Sequence, residues 1–181
     1  MDFDSRELAS YKGAPSVEPE FNPSLGLRGL SWELAERRVL ALELRALLEA
    51  LNRGYSNLGV LFPMVRTIEE YEQAREVMTS VGLRPQKDIR TGVVFETPSA
   101  ALQIREFLSV GIDFAFIGIN DLTQYTLAVD RTNVCVKEQS RYSEHENLIE
   151  RKDEQAESLI QETGGVTSPV RKQRPERSRV R

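Results

Sequence analysis

Between Leu25 and Val129 the chain alternates short apolar runs of high β propensity with longer amphipathic stretches. The short runs predict strands at 57–63, 89–96 and 113–119, each followed by a stretch of helical periodicity. Strands joined by single helices pair in parallel, because a right-handed crossover returns the chain to the same end of the sheet. The alternation therefore predicts an α/β fold built on a parallel sheet.

Helix signals precede and follow the first of these strands. Residues 31–51 carry leucine and valine at helical spacing before a stop at Gly54, which predicts one long helix. Thr67 with Glu70 three residues later has the form of a capping box. A second helix should therefore run from there to about Val81.

Two further helix starts lie downstream. Thr97 and Pro98 suit the N-cap and the first turn of a helix that follows the second strand. Asp121 with Gln124 has the form of another capping box, directly behind the apolar run "FAFI", which predicts a buried strand. The expected order is strand, helix, strand, helix, strand, helix.

Composition limits the classes of function. At 181 residues the chain can bury one sizeable core, and a formal net charge of −4 gives no general attraction to nucleic acid or to a membrane surface. Cys135 is the only cysteine, so no internal disulfide can form, and no apolar run approaches the ~20 residues that cross a bilayer. We expect a cytoplasmic protein without a membrane or nucleic-acid partner.

Polar side chains gather where the predicted strands end. Four of them lie at or just after the carboxyl end of a strand, the edge where α/β sheets and barrels build their sites: Arg66, Glu96, Asn120 and Asp121. Each has an ordinary alternative, since Asp121 alone would be a helix cap and Glu96 an exposed acid. Arg66, beside a capping threonine, is the weakest candidate for substrate binding. The occurrence of the others at successive strand ends favours one shared site.

Four sequence blocks share their order and spacing with one enzyme family. They are "NPSLGLRG" (22–29), "FPMVRTIEE" (62–70), "FETPSAAL" (95–102) and "FIGINDLTQYTLAVDR" (116–131). Together they resemble the C-terminal barrel of the phosphoenolpyruvate-utilising enzymes, which comprise phosphoenolpyruvate synthase, pyruvate phosphate dikinase and enzyme I of the sugar phosphotransferase system. Four ordered blocks are a specific signal. The "MVRT" segment is most similar to the phosphoenolpyruvate synthase branch.

The resemblance implies a (β/α)8 TIM barrel in which magnesium holds the enolpyruvate while a phosphoryl group passes to or from a histidine on another domain. By position, Glu96 and Asp121 match the metal ligands, with manganese as an expected substitute for magnesium. Asn120 matches a residue at the phosphoryl oxygens, while Arg28 and Arg131 match arginines that bind phosphate or carboxylate. These roles suit the chemistry, because magnesium prefers oxygen ligands and the planar arginine fork binds both anions.

The sequence also departs from the family. Ile119 stands where the family has threonine or serine, which removes a hydroxyl near the phosphoryl position. The family's earlier strand, with its own arginine, has no counterpart before Met1, and the nucleotide-binding and phosphohistidine domains have none either. We therefore expect a partial barrel that is incomplete for catalysis alone. Three or four strands would leave sheet edges open, so we also expect marginal stability or self-association.

The resemblance stops at about Asn133, and residues 134–181 differ in character. Acidic residues dominate from Glu138 to Glu162 and basic residues from Arg171 to Arg181, with little apolar periodicity. We expect 1–133 to be the partial barrel domain and the rest a charged tail that is loosely helical or disordered. A shift of reading frame near residue 133 is one hypothesis for the change.

Three hypotheses of function follow. The first is a phosphoenolpyruvate synthase-like barrel fragment that binds magnesium and phosphoenolpyruvate or pyruvate. The second is a module that senses phosphoenolpyruvate or pyruvate, or that pairs with a chain supplying the missing synthase domains. The third is a metal-dependent enolate enzyme of the aldolase or lyase type, against which the missing arginine strand argues.

Overall fold

The computed structural model describes residues 2–13, 18, 20–130, 133, 135 and 166–167 of the chain. Within these residues the sheet has four strands in the order β1-β2-β3-β4, and all neighbouring pairs are parallel. The strands are β1 (Gly59–Phe62), β2 (Arg90–Phe95), β3 (Phe114–Ile117) and β4 (Val166–Thr167). The predicted α/β class with a parallel sheet is confirmed.

The register of the sheet brings the carboxyl ends of the strands to one edge. Phe62 at the end of β1 pairs with Val93, and Phe95 at the end of β2 pairs with Ile117 at the end of β3. Gly118 N then donates to Phe95 O at 3.0 Å and extends the pairing by one step. The residues that follow β2 and β3 therefore lie side by side.

The short strand β4 is absent from the sequence prediction. Val166 and Thr167 pair with Phe114 and Ala115 of β3. Two residues carry too little pattern to be recognised, and backbone hydrogen bonds to an existing strand require no particular side chain. Most of the predicted tail lies outside the described residues.

Helices connect the strands and cover the sheet. The described ones are α1 (Ser5–Ser10), a 3-10 turn (Pro23–Leu25), α2 (Leu30–Ala35), α3 (Arg37–Asn52), α4 (Ile68–Ser80), α5 (Pro98–Leu102), α6 (Ile104–Val110) and α7 (Ile119–Leu127). Thr67 and Thr97 cap α4 and α5 as predicted. The Glu70 side chain accepts from Arg66 N, so the capping box of α4 is only half formed. None of these helices is long and apolar enough to cross a membrane.

Two of the predicted helices are broken in the structure. Residues 31–51 are divided between α2 and α3 because the backbone of Glu36 leaves the helical region, with φ −103° and ψ 55°. Leu30 N donates to Pro63 O at 3.2 Å and ties the start of α2 to the end of β1. A tertiary anchor of this kind overrides helix propensity, which is a weak preference. Gln103 likewise separates α5 from α6.

The core lies between the sheet and the helices that cover it. At its centre are four buried aromatic side chains with neighbouring ring centroids 5.5 to 6.0 Å apart: Phe62, Tyr71, Phe95 and Phe107. Edge-on packing at this distance adds to the energy of burying the rings. Strand β3 contributes less than "FAFI" predicts, because only Ala115 of its four residues is buried.

Candidate functional site

Arg28 lies in the loop before α2, and the Ser31 hydroxyl forms hydrogen bonds with both its backbone N–H and its backbone carbonyl. The Arg28 N–H donates to Ser31 Oγ at 3.1 Å, and the Ser31 hydroxyl donates to Arg28 O at 2.8 Å. Gly29 follows with a φ of 53°, and a Cβ there would lie 2.7 Å from Met64 Cβ. The loop can therefore approach the end of β1 this closely only with glycine at position 29.

The guanidinium of Arg28 is paired on both edges. Its Nη1 donates to Asp121 Oδ1 at 2.8 Å and to the Tyr125 hydroxyl at 3.5 Å. Its Nε and Nη2 donate to Asp2 Oδ1 and Oδ2 at 3.1 and 3.3 Å. Burial acts to lower the pKa of Arg28, but the hydrogen bonds and charges of Asp121 and Asp2 outweigh it and raise the pKa above its ordinary value. Two carboxylates thus compensate a cation whose side chain is only 11% exposed.

Asp121 enters this cluster from the first turn of α7. The helix begins at Ile119 with Gly118 as its N-cap, and no side chain caps it. The predicted capping box of Asp121 with Gln124 is therefore wrong, because the helix starts earlier than that pattern implies. The buried Asp121 carboxylate binds Arg28 instead, and the helix dipole also stabilises an acid in this turn.

Glu96 directly follows β2 and is 6% exposed. Its Oε1 accepts a hydrogen bond from Met64 N at 2.7 Å. Met64 has a φ of 52°, a left-handed conformation that is uncommon for a residue with a side chain. On the other side, a Cβ at Gly118 would lie 2.5 Å from Glu96 Oε2. The segments that follow β1 and β3 therefore fix the Glu96 side chain between them.

The pKa of Glu96 is raised to about 7, mainly because burial disfavours the charged form. The carboxylates of Asp2 and Asp121 act in the same direction, whereas the Met64 N–H and the Arg28 guanidinium act against it. Asp2 and Asp121 thus contact the one guanidinium, and Glu96 lies close enough to interact with all three charges. Such an excess of negative charge favours either a proton or a cation at Glu96.

Three of the six predicted site residues stand apart from this cluster or outside the described chain. Arg66 has 45% of its side chain exposed, and its Nε donates to Glu70 Oε1 at 2.8 Å, an ordinary contact at helical spacing. Asn120 is exposed and precedes Asp121 on α7. Arg131 lies outside the described residues. The structure brings the other three together.

Sequence reasoning missed two members of the cluster. Asp2 binds Arg28 from 26 positions away, and no motif around it predicts the contact. Tyr125 also donates from its hydroxyl to Ser24 O in the 3-10 turn. Its position one helical turn after Asp121 is a usable signal, because residues four apart share a helix face.

Glu96 and Asp121, the two predicted metal ligands, follow the neighbouring strands β2 and β3 at the carboxyl edge of the sheet. Within the described part of the chain, no group of three or more His, Cys, Asp or Glu side chains could hold a metal ion. Magnesium usually keeps several water or substrate oxygens among its six ligands, so two carboxylates can serve as its protein ligands. The oxygen donors of this pair are therefore of the type that magnesium binds, and water and an anionic ligand would supply its remaining coordination positions.

Comparisons with known proteins point to one family. The family model "PEP-utilising enzyme, PEP-binding domain" matches residues 1–163, which extends past residue 133. A probable phosphoenolpyruvate synthase of Pyrococcus abyssi is 41% identical over 133 residues, and one of Archaeoglobus fulgidus is 43% identical over 133 residues. A phosphoenolpyruvate-protein phosphotransferase of Haemophilus influenzae is 40% identical over 140 residues. Each alignment covers 74% of this chain.

The chain spans less than a quarter of the length of these relatives. The alignments cover 16% of the Pyrococcus protein, 18% of the Archaeoglobus protein and 23% of the Haemophilus protein. The family match includes Arg28, Glu96 and Asp121. Since that match takes in most of the sequence and the relatives are about 40% identical, the chain belongs to the PEP-utilising enzyme family and matches part of its PEP-binding domain.

Proposed function

We propose that this chain binds magnesium together with phosphoenolpyruvate or pyruvate, as a phosphoenolpyruvate synthase-like barrel fragment that is incomplete for catalysis alone. The observation that carries the proposal is the contact of Arg28 with Asp121 at 2.8 Å, beside the buried Glu96. A guanidinium and two carboxylates at the carboxyl edge of a parallel sheet offer partners for an anion and for a cation at once. The identity to proteins named phosphoenolpyruvate synthase supports this choice of ligand.

Glu96 and Asp121 would hold the cation, and magnesium or manganese suits their oxygen donors. When bound, the ion supplies Lewis-acid chemistry that offsets the negative charge of an enolate. Glu96 must lose its proton to act as a ligand, because only the carboxylate form binds a metal. Its raised pKa therefore makes cation binding stronger as the pH rises through about 7.

Arg28 would hold the carboxylate or the phosphate of the ligand, since its planar fork binds either anion through two parallel hydrogen bonds. Asn120 is exposed beside Asp121, where its amide is accessible to a phosphoryl oxygen. Arg131 is proposed as a second phosphate-binding arginine on the resemblance alone. Arg66 is a weaker candidate, because Glu70 already pairs with its side chain.

We propose that the sheet is part of a (β/α)8 barrel. Each of β1, β2 and β3 is followed by a helix and pairs in parallel with the next strand. β1 lies at the edge of the sheet, and within the described residues it pairs with β2 alone. An open edge binds further strands readily. This edge favours a second candidate function, that of a module completed by self-association or by a chain that supplies more strands. For either function, the proposed location of the protein is the cytoplasm.

Titration calorimetry of the full chain with manganese tests the metal and ligand site. We expect cation binding that oxalate or phosphoenolpyruvate strengthens and that Glu96→Gln or Asp121→Asn removes. Glu72→Gln changes an exposed acid on α4 and should leave the binding unchanged. Circular dichroism of each variant separates loss of binding from loss of fold. Cation binding that survives both site substitutions would mean that these acids serve only the fold.

A further inference from the structure

We propose that Asp2 is a tethered carboxylate that occupies the anion subsite of Arg28, so that an anionic ligand enters by displacing it. This inference rests on the proposed function, since it concerns the same arginine. The Asp2 carboxylate spans the Nε and Nη2 edge of the guanidinium, with oxygen to nitrogen distances of 3.1 and 3.3 Å. Arginine binds a ligand carboxylate or phosphate through two such parallel hydrogen bonds.

The other end of the guanidinium is committed to the fold. Its Nη1 donates to Asp121 at 2.8 Å and to Tyr125 at 3.5 Å, and both residues lie on α7. The Asp121 side chain is 10% exposed, whereas that of Asp2 is 42% exposed. A ligand that arrives from solvent therefore meets Asp2 first. A ligand can therefore replace Asp2 at the Nε and Nη2 atoms, while Asp121 stays bound to Nη1.

The charge of the cluster favours exchange over addition. Asp2 and Asp121 contact a single guanidinium, and both aspartates also act to raise the pKa of the nearby Glu96. Both edges of the guanidinium are already occupied, so a ligand carboxylate added without loss of Asp2 would place a third carboxylate against one cation. A ligand carboxylate that replaces Asp2 leaves the number of carboxylates unchanged. The second route is therefore the less costly one.

Helix α1 keeps Asp2 near Arg28. Asp4 caps this helix through a reciprocal capping box with Glu7, and Leu8 is buried. Asp2 lies only two residues before this cap, so its carboxylate stays at a high effective concentration around Arg28. A simple monocarboxylate in solution competes poorly with a tethered one. A ligand that also contacts a bound cation has a second source of affinity, so a chelating anion such as oxalate displaces Asp2 at a lower concentration than acetate does.

Calorimetry of the full chain with oxalate in the presence of manganese tests the proposal. The variants are Asp2→Asn, which keeps the shape of the side chain, and Asp2→Ala, which removes both oxygens. If Asp2 occupies Arg28 for nine-tenths of the time, its removal raises the apparent affinity about tenfold. Affinity for acetate should rise by a similar factor, because both anions displace the same carboxylate, so the ratio of the two affinities should stay unchanged. Glu72→Gln makes the same change of net charge on an exposed face and should match the wild type.

A gain of affinity in both Asp2 variants supports the proposal, and it cannot result from unfolding. Unchanged affinity in both variants overturns it while leaving the proposed function intact. A loss in both also overturns it and makes Asp2 a residue that positions Arg28. Absence of oxalate binding and of cation binding in the wild type and the variants overturns the proposed function and this inference with it.

Discussion

The Arg28 guanidinium donates to the Asp121 carboxylate at 2.8 Å, between residues that lie 93 positions apart in the sequence. The contact joins the loop before α2 to the first turn of α7. Arg28 lies near the end of β1, Asp121 follows β3, and Glu96 follows the strand between them. The ion pair therefore spans the carboxyl edge of the sheet, and its integrity should matter for both stability and ligand binding.

Arg28→Lys should lower the free energy of unfolding by about 1.5 to 3 kcal/mol, the usual worth of a hydrogen bond to a charged group. A lysine ammonium is a point donor and cannot hold Asp2 on one edge and Asp121 on another. Oxalate binding should also fall. Urea denaturation and calorimetry measure the two effects, and Arg38→Lys on the exposed face of α3 is the control. If Arg28→Lys and Arg38→Lys have the same free energy of unfolding and the same oxalate affinity, the planar guanidinium of Arg28 is dispensable.

Tyr125→Phe removes the hydroxyl that donates to Ser24 O and accepts from Arg28 Nη1. We expect a loss of about 1 kcal/mol in the free energy of unfolding, because the bond to Ser24 O is lost while the 3.5 Å contact with Arg28 is too long to add much. Oxalate affinity should fall because the loop before Arg28 loses its tie to α7, while manganese affinity should stay unchanged. Tyr55→Phe, at a tyrosine that is 60% exposed, is the matched control. A fall in manganese affinity would assign Tyr125 a wider structural role.

The metal-free protein should lose stability as the pH rises from about 4.5 to about 7 because of Glu96. Burial raises the pKa of this carboxyl from 4.5 to about 7, so within the window the folded state holds a proton that the unfolded state has released. The free energy of unfolding therefore falls with rising pH. A shift of this size corresponds to on the order of 3 kcal/mol across the window.

Glu96→Gln should flatten this pH dependence, as measured by urea denaturation at either end of the window. Part of the slope should persist, because burial also raises the pKa of Glu33 on α2 to about 7. Glu72→Gln should keep the wild-type slope, since this acid is exposed. If the free energy of unfolding of Glu96→Gln depends on pH as steeply as that of the wild type, a group other than Glu96 causes the pH dependence.

Gly118→Ala should disturb the site through space alone, because the φ of Gly118 is −88° and any residue can adopt it. A Cβ there would lie 2.5 Å from both Glu96 Cβ and Glu96 Oε2. We expect a cost of about 1 to 3 kcal/mol in stability, as in other overpacked sites, and weaker manganese binding as Glu96 moves. Gly26→Ala is the control, because the atoms nearest to its Cβ belong to the flexible end of Glu20, which also accepts from Leu27 N, and not to Glu96. Wild-type manganese affinity in Gly118→Ala would contradict a fixed Glu96.

The sequence by itself determined the order of the elements. The three longer strands and the caps at Thr67 and Thr97 depend on residues within a few positions of each other, so a local pattern suffices to predict them. The same reasoning places Glu96 and Asp121 at one edge, because parallel strands all end on the same side of a sheet. The alternation of strands and helices makes the strands parallel, and parallel strands place their carboxyl ends at one edge of the sheet.

Only the tertiary structure decided which charges meet there and where the helices break. The start of α7 at Ile119 and the interruption at Glu36 depend on packing that no local pattern encodes. The pairing of Arg28 with Asp2 and the raised pKa of Glu96 depend on burial and on distances in space. Coulomb interactions and desolvation act between groups brought together by the fold, whatever their separation along the chain.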